Sequence, residues 1–285
     1  MMKFFRSMAL ICSLLLPAFV ISKTIDLEDS DLILVKTRVP TRGIVCSNKE
    51  RAERVGSKLS NATLSTSSWG TQVYVGEYQG EEFFVALAPI GSGSGLVFTE
   101  LFANGAEYII RYGSDDIKSP EERDYRLIKA IDETDNLYGF NFASGVPFED
   151  WGKSIFASDA IIHALEEEAT SRGQEIERRV CHHLENYHAM RVPEKYGPRR
   201  EVLEKQIKTL KRTDKKESID MESAVLFRVA QDFDKHAASV LQTVVKNNPK
   251  LGPYEGVNRQ EALAMENNIF IDYLFSALKR LPNKT

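Results

Sequence analysis

Cysteine is scarce in this chain. Only Cys12, Cys46 and Cys181 occur among 285 residues, so the protein is not a disulfide scaffold. A single bridge between Cys46 and Cys181 stays open, because sequence spacing does not give the distance between two thiols. Basic charge is in deficit as well. The formal net charge is −4, and nothing resembles the basic stripe that follows a phosphate backbone, which excludes nucleic acid as a partner. Histidine is rare too. Its densest stretch, Cys181-His182-His183-Leu184-Glu185-Asn186-Tyr187-His188, has the wrong spacing for zinc: His183 and His188 do not share a helical face, and no His-Glu-x-x-His pattern occurs. The segment reads as a substrate-facing loop or a partly buried histidine pair, and no metal is expected. Internal repeats and low-complexity linkers are missing, and no arrangement of nucleophile, histidine and acid stands out, so no catalytic residue is assigned.

Long apolar runs are absent except for one at the start. Met1 to Ser7 is short and basic through Lys3 and Arg6, Met8 to Ile21 is apolar, and Val20 and Ser22 occupy the −3 and −1 positions before Lys23. This is the pattern of a signal peptide, and the run falls short of the roughly 20 residues that a membrane span needs. Residues 1–22 are therefore expected to be removed. Residues 23–285 remain as one domain, secreted or periplasmic, with no membrane attachment. Removing Lys3 and Arg6 leaves the mature chain more acidic than the whole. With 42% hydrophobic residues, a chain of this length suits one large α/β domain.

Hydrophobic periodicity gives the organisation. Short apolar runs with β-branched residues occupy 31–35 and 43–46, strands are expected over 72–78 and 81–88, and a helix over 48–59. Gly91-Ser92-Gly93-Ser94-Gly95 then leads into a short helix over 96–103, which stops at Asn104-Gly105. Tyr108 to Tyr112 is the next strand, so 81–113 reads as a parallel, right-handed βαβ unit. Downstream, 124–131 is read as a strand and 158–172 as a helix with Glu166, Glu167 and Glu168 facing outward. Helices over 199–211 and 219–233 follow, then a buried strand over 237–245. A last helix runs from about Asn258, capped with Glu261, to about Leu281. Such alternation implies a sheet with helices on both faces.

Three places suggest chemistry. Gly91, Gly93 and Gly95 allow close backbone approach ahead of a helix N-terminus, which favours an anion, although a bare strand-to-helix connection has the same form. Arg111 stands near the end of an apolar strand, where a buried charge needs a partner: a phosphate or an internal carboxylate. Arg51, one turn into the first helix, is placed to face the same opening. Asp220-Met221-Glu222 marks the start of an apolar helix, where a carboxylate either satisfies free helix N–H groups or accepts the hydroxyls of a ribose.

In this order and spacing the segments resemble the nucleoside phosphorylase family, in its uridine and purine nucleoside phosphorylase branch. The resemblance spans about Val35 to Leu281. It is strongest in VALAPIGSGSGLVFTELFANGAEYIIRYGS, then in SIDMESAVLF, and weaker in IVCSNKERAERV. It implies a three-layer αβα fold with a mixed, partly barrel-like sheet. It implies phosphate binding by Ser47, Arg51, Gly91, Gly93, Arg111 and Ser114, ribose binding by Met221 and Glu222, and base binding by Glu185 and Tyr187. The implied reaction is pentosyl transfer from a uridine or purine nucleoside to inorganic phosphate. Phosphate is then a co-substrate, no other cofactor is needed, and the partner is a second copy of the chain in a homo-oligomer built from dimers. Four departures accompany the likeness. Ser47-Asn48-Lys49 stands for Gly-Asp-Pro. Asp115-Asp116 stands for a small residue and glycine, where a carboxylate is expected to oppose phosphate. Trp69 takes the place of an arginine offered to the neighbouring subunit, and Lys246-Asn247-Asn248 that of a Ser-Asp pair that protonates the base. Two other outcomes share the fold: a nucleoside-binding or storage protein without catalysis, and a nucleosidase that uses water.

Overall fold

Valine, isoleucine and aromatic side chains dominate the central stretches RGIVC, EEFFVAL and YIIRY, a composition suited to a pleated surface buried on both sides. The computed structural model describes residues 33–115, 127–135, 137–191, 193–195, 197–202, 205, 216–243, 264 and 266–283. In chain order the strands are β1 (Arg42–Cys46), β2 (Ser60–Thr66), β3 (Gln72–Tyr78), β4 (Glu81–Leu87), β5 (Tyr108–Asp115), β6 (Ile128–Asp135), β7 (Ile155–Phe156), β8 (Ile176–His183), β9 (Glu217–Asp220) and β10 (His236–Thr243). The helices are α1 (Lys49–Gly56), α2 (Ser94–Ala103), α3 (Tyr138–Ala143), α4 (Asp159–Arg172), α5 (Tyr187–Arg191), α6 (Ser223–Asp232) and α7 (Ile271–Lys279). The expected leader, Asp116, Lys246 to Asn248, the expected Asn258–Glu261 cap and most of the expected 199–211 helix lie outside the described residues.

The strands form one mixed sheet in the order β2-β3-β4-β1-β5-β10-β6-β8-β9, with β7 paired to β6. Strands β4, β1, β5 and β10 run parallel at its centre. Hairpins join β2, β3 and β4 antiparallel, and β6 meets β10 antiparallel before β8 and β9 continue parallel to β6. The unit β4–α2–β5 is a crossover between parallel strands, but β1 lies between them rather than the two pairing directly. One face of the sheet packs Ile44, Ile110, Tyr112 and Val240 against α1, α4 and α7. The other packs Val45, Ile109, Ile131 and Leu241 against α2 and α6. These are the three αβα layers.

A buried polar knot curls the far half of the sheet back. Lys129 Nζ on β6 donates to Asp115 Oδ2 at the end of β5 (2.8 Å) and to Thr243 Oγ1 at the end of β10 (2.7 Å). The same aspartate accepts from Ser218 Oγ (3.0 Å) and from the Ile219 N–H (3.2 Å) on β9. Strands β5 and β9 are not neighbours in the sheet order, so this contact makes it partly barrel-like. It also revises the expectation for Asp115. The carboxylate is paired with an ammonium as deeply buried as itself, so it closes the sheet instead of standing as an uncompensated charge against phosphate.

Other expectations change in detail. In the described part of the 31–35 apolar run, Leu34 and Val35 are buried outside any strand; their N–H groups donate to Glu100 Oε2 of α2 (2.7 and 2.6 Å). The strand expected at 124–131 begins at Ile128 and runs on to Asp135. Residues 217–220 are strand β9, and the helix after them starts at Ser223 rather than at 219. Glu168, expected to face outward, is buried and bonds to Arg172 (2.6 Å) and Arg280 (2.9 Å), which ties α4 to α7. Cys46 and Cys181 are both free and buried, so no bridge joins them. Burial pushes the Cys46 thiol up to about 12 despite the cations near it, which makes it an inert core group.

Candidate active site

Ligands of open α/β sheets bind beyond the carboxyl ends of the parallel strands, and the functional side chains proposed from sequence gather there. Gly91 follows β4, and Ser47, Asn48 and Arg51 follow β1. Arg111 and Ser114 are on β5, and Asp220, Met221 and Glu222 join β9 to α6.

The centre is Arg111. It lies within β5, which continues to Asp115, so the residue is mid-strand rather than at its end. Its side chain folds over Gly113: a Cβ on that glycine would sit 2.0 Å from Arg111 Nη1, so the missing side chain makes room for the guanidinium. An arginine this buried costs on the order of several kcal/mol unless it is paired. Two carboxylates pair it. Nη1 is 2.8 Å from Asp220 Oδ2, and Nη2 donates to Glu222 Oε2. Burial alone would lower the Arg111 pKa; Asp220 and Glu222 outweigh it and hold the guanidinium charged above its ordinary range.

Glu222 has a second tie. Its Oε1 accepts the N–H of Gly91 (2.8 Å), the first residue of the glycine turn. Gly91 adopts φ +77°, the left-handed region, so glycine is required there. The Met221 methyl lies 3.5 Å from where a Gly91 Cβ would be, so it closes the wall beside the turn. Asp220 also caps α6, accepting from the Ser223 N–H (3.2 Å) and hydroxyl. That is the helix-terminus role its position suggested, combined with the ion pair to Arg111. Gly93 is exposed, and its Cβ would meet only Pro89 at 3.8 Å. Nothing in its surroundings requires glycine.

Arg51 reaches the end of β5 from the other face. Asn48 starts α1 by accepting the Arg51 N–H (2.9 Å). The guanidinium lies 4.8 Å from the ring centre of Tyr112 and donates to Ser114 Oγ (3.2 Å) and Glu266 Oε1 (2.8 Å). Arg54 shares Glu266 (2.8 Å). Tyr112 and Ser114 alternate with Arg111 and Gly113 along the strand, so the two arginines flank the strand end from opposite faces, with Cys46 subject to the charge of both. Beside them the Ser47 hydroxyl is enclosed and has no hydrogen-bond partner among the described residues.

The segment expected to meet the base is wired to the same turn. Glu185 accepts from Ser92 Oγ (2.6 Å) and from the N–H groups of Gly139 (3.0 Å) and Phe140 (3.2 Å) at the start of α3. His183 Nε2 is 3.5 Å away. Burial would raise this carboxyl, but the nearby His183 ring and the Ser92 hydroxyl outweigh it and hold it down at about 2. Glu185 thus ties the glycine turn to α3. Tyr187, half-buried at the start of α5, stands edge-on to His188. His182 faces away and bonds through Nδ1 to Asp135 Oδ1 (2.8 Å). Ser92 and Gly113 entered the sequence reading only inside longer motifs, and His183 only as part of the histidine stretch; none was assigned to the site. Gly113 had the clearest signal, as the glycine two residues after the strand arginine.

No family model matches the chain. Solved structures do. A uridine phosphorylase from Vibrio fischeri ES114 superposes with a TM-score of 0.66 at 18% identity, covering 86% of this chain and 94% of that one. A structure of uridine phosphorylase from the same organism, complexed with 6-hydroxy-1-naphthoic acid, gives 0.64 at 19% identity, covering 86% of this chain and 93% of that one. The fold is that of uridine phosphorylase. Within the uridine phosphorylase fold, the described site therefore sits on a scaffold shared over nearly the whole length of those enzymes.

Proposed function

We propose that the protein is an exported nucleoside phosphorylase that transfers the pentose of a uridine or purine nucleoside to phosphate. The observation that supports this most is the Glu222 carboxylate, held at a strand–helix junction between a buried arginine and a glycine-turn N–H. In this reading Arg111, Arg51, Ser114, Ser47 and the glycine turn hold phosphate, with the unpartnered Ser47 hydroxyl among the donors. Glu222 accepts the ribose hydroxyls beside Met221, and the segment from Glu185 to Tyr187 borders the base. A phosphate oxygen attacks the anomeric carbon as the carbon–nitrogen bond breaks. The bonding pair leaves with the base, which gains a proton, and pentose 1-phosphate remains. Such chemistry rests on positioning and charge stabilisation, without a covalent enzyme intermediate.

Export follows from the leader, with the mature chain starting at Lys23, which the intact mass of the exported protein checks. Assembly into a homo-oligomer built from dimers belongs to this reading; the exposed Phe142 (71%) and Phe148 (78%), which flank Trp151, form an apolar cluster that would suit a contact between copies.

A second reading, a binding protein without catalysis, is favoured by one feature: both arginines are already neutralised by internal carboxylates. Release of free base from a panel of purine and pyrimidine nucleosides, with and without phosphate, decides between them. Phosphate-dependent release is the expected result. Release in water alone makes the protein a nucleosidase, and binding without release makes it a storage protein.

A further inference from the structure

Glu222 occupies the position an anion would take. Its two oxygens bridge the Gly91 N–H and the Arg111 guanidinium, the two donors that a phosphate oxygen would seek at this turn. The groups involved, Arg111, Asp220 and Glu222, are each at least 94% buried, so the interaction is little weakened by solvent. The cluster of one guanidinium and two carboxylates carries a net negative charge, which opposes an incoming anion. The same carboxylate is bonded at both oxygens, so sugar hydroxyls would have to compete with Gly91 and Arg111 for it.

We propose that Glu222 is an internal plug of the phosphate site. Phosphate displaces the carboxylate from Arg111 and Gly91, and the freed carboxylate is then available to the ribose diol. The inference rests on the reading of this site as a phosphorylase site and adds its regulation: each substrate releases the group that obstructs or withholds the other. Linkage makes the effect reciprocal, so phosphate tightens nucleoside binding by the same factor as nucleoside tightens phosphate binding. A protein whose leaving group and nucleophile bind independently has no such coupling.

The test is calorimetric binding of inorganic phosphate to the wild-type protein and to Glu222→Gln, which keeps the shape and removes the charge. The expected result is a gain in phosphate affinity of about tenfold in the variant, within the usual range of coupling between sites, although the variant loses nucleoside binding. In the wild type, pseudouridine and formycin, whose carbon–carbon glycosidic bonds phosphate does not cleave, should bind about tenfold more tightly in saturating phosphate. Equal phosphate affinity in Glu222→Gln and wild type, with nucleoside affinity indifferent to phosphate, overturns the plug and leaves the phosphorylase reading standing. Phosphate binding to neither folded protein overturns both. Circular dichroism and the unfolding midpoint of the variant establish that it is folded.

Discussion

At the scale of single residues, Arg111 depends on an absence. Gly113 leaves the space in which its guanidinium reaches Asp220 and Glu222, and a methyl group there would meet Nη1 at 2.0 Å. Gly113→Ala therefore pushes the arginine off both carboxylates. The expected cost is about 1–3 kcal/mol, the range for overpacking a tight interior, together with loss of phosphate binding. Urea unfolding and phosphate titration of the variant measure the two effects; wild-type phosphate affinity would show that the close approach has no bearing on the anion site. Sequence reading reached Arg111, Glu222 and Gly91, whose residue types are unusual for their surroundings. It met Ser92 in the glycine turn and His183 in the histidine stretch but gave neither a specific role at the site. A serine in a turn and a histidine in a charged stretch become informative only when the chain brings Glu185 between them.

At the scale of elements, legibility followed the strength of the apolar pattern. The runs around β3, β4, β5 and β10 were readable because burial on both faces leaves nearly continuous β-branched and aromatic residues. Strand β2 is exposed along most of its length, and its sequence Ser60-Asn61-Ala62-Thr63-Leu64-Ser65-Thr66 carries no such run. Strand β8 begins Ile176-Glu177-Arg178-Arg179, which looks like surface. Its charges are met in space, Arg178 by Glu166 on α4 and Arg179 by Glu177 beside it, and no local pattern announces that. The apolar run at 31–35 shows the limit of such patterns: the N–H groups of Leu34 and Val35 are satisfied by a helix side chain, Glu100, in place of a neighbouring strand. Removing that acceptor leaves two N–H groups without their partner. Glu100→Ala should lower stability by about 1–3 kcal/mol and open the chain before β1 to limited proteolysis, read by mass spectrometry. Wild-type protection there would mean that packing of Leu34 and Val35 holds the segment unaided.

At the scale of the whole molecule, the layers and the curled sheet came from alternation and resemblance together, and the uridine phosphorylase scaffold agrees with both. What alternation did not reveal was the sheet order, because the centre is completed by strands distant in sequence. The outer surface supports one further expectation. If the exposed aromatics Phe142 and Phe148 beside Trp151 meet a second copy, the melting temperature rises with protein concentration. Each tenfold increase should add about 1–2 °C for a dimer of this size. A melting temperature independent of concentration, with a monomer in sedimentation, would remove the assembly from the proposal.

The position of β10 has a consequence for any shortened chain. It lies between β5 and β6, yet it follows both in the sequence. Without it the sheet is two separate halves, each with an open edge where β10 belongs. Any cut that removes β10 therefore exchanges one closed sheet for two adhesive rims.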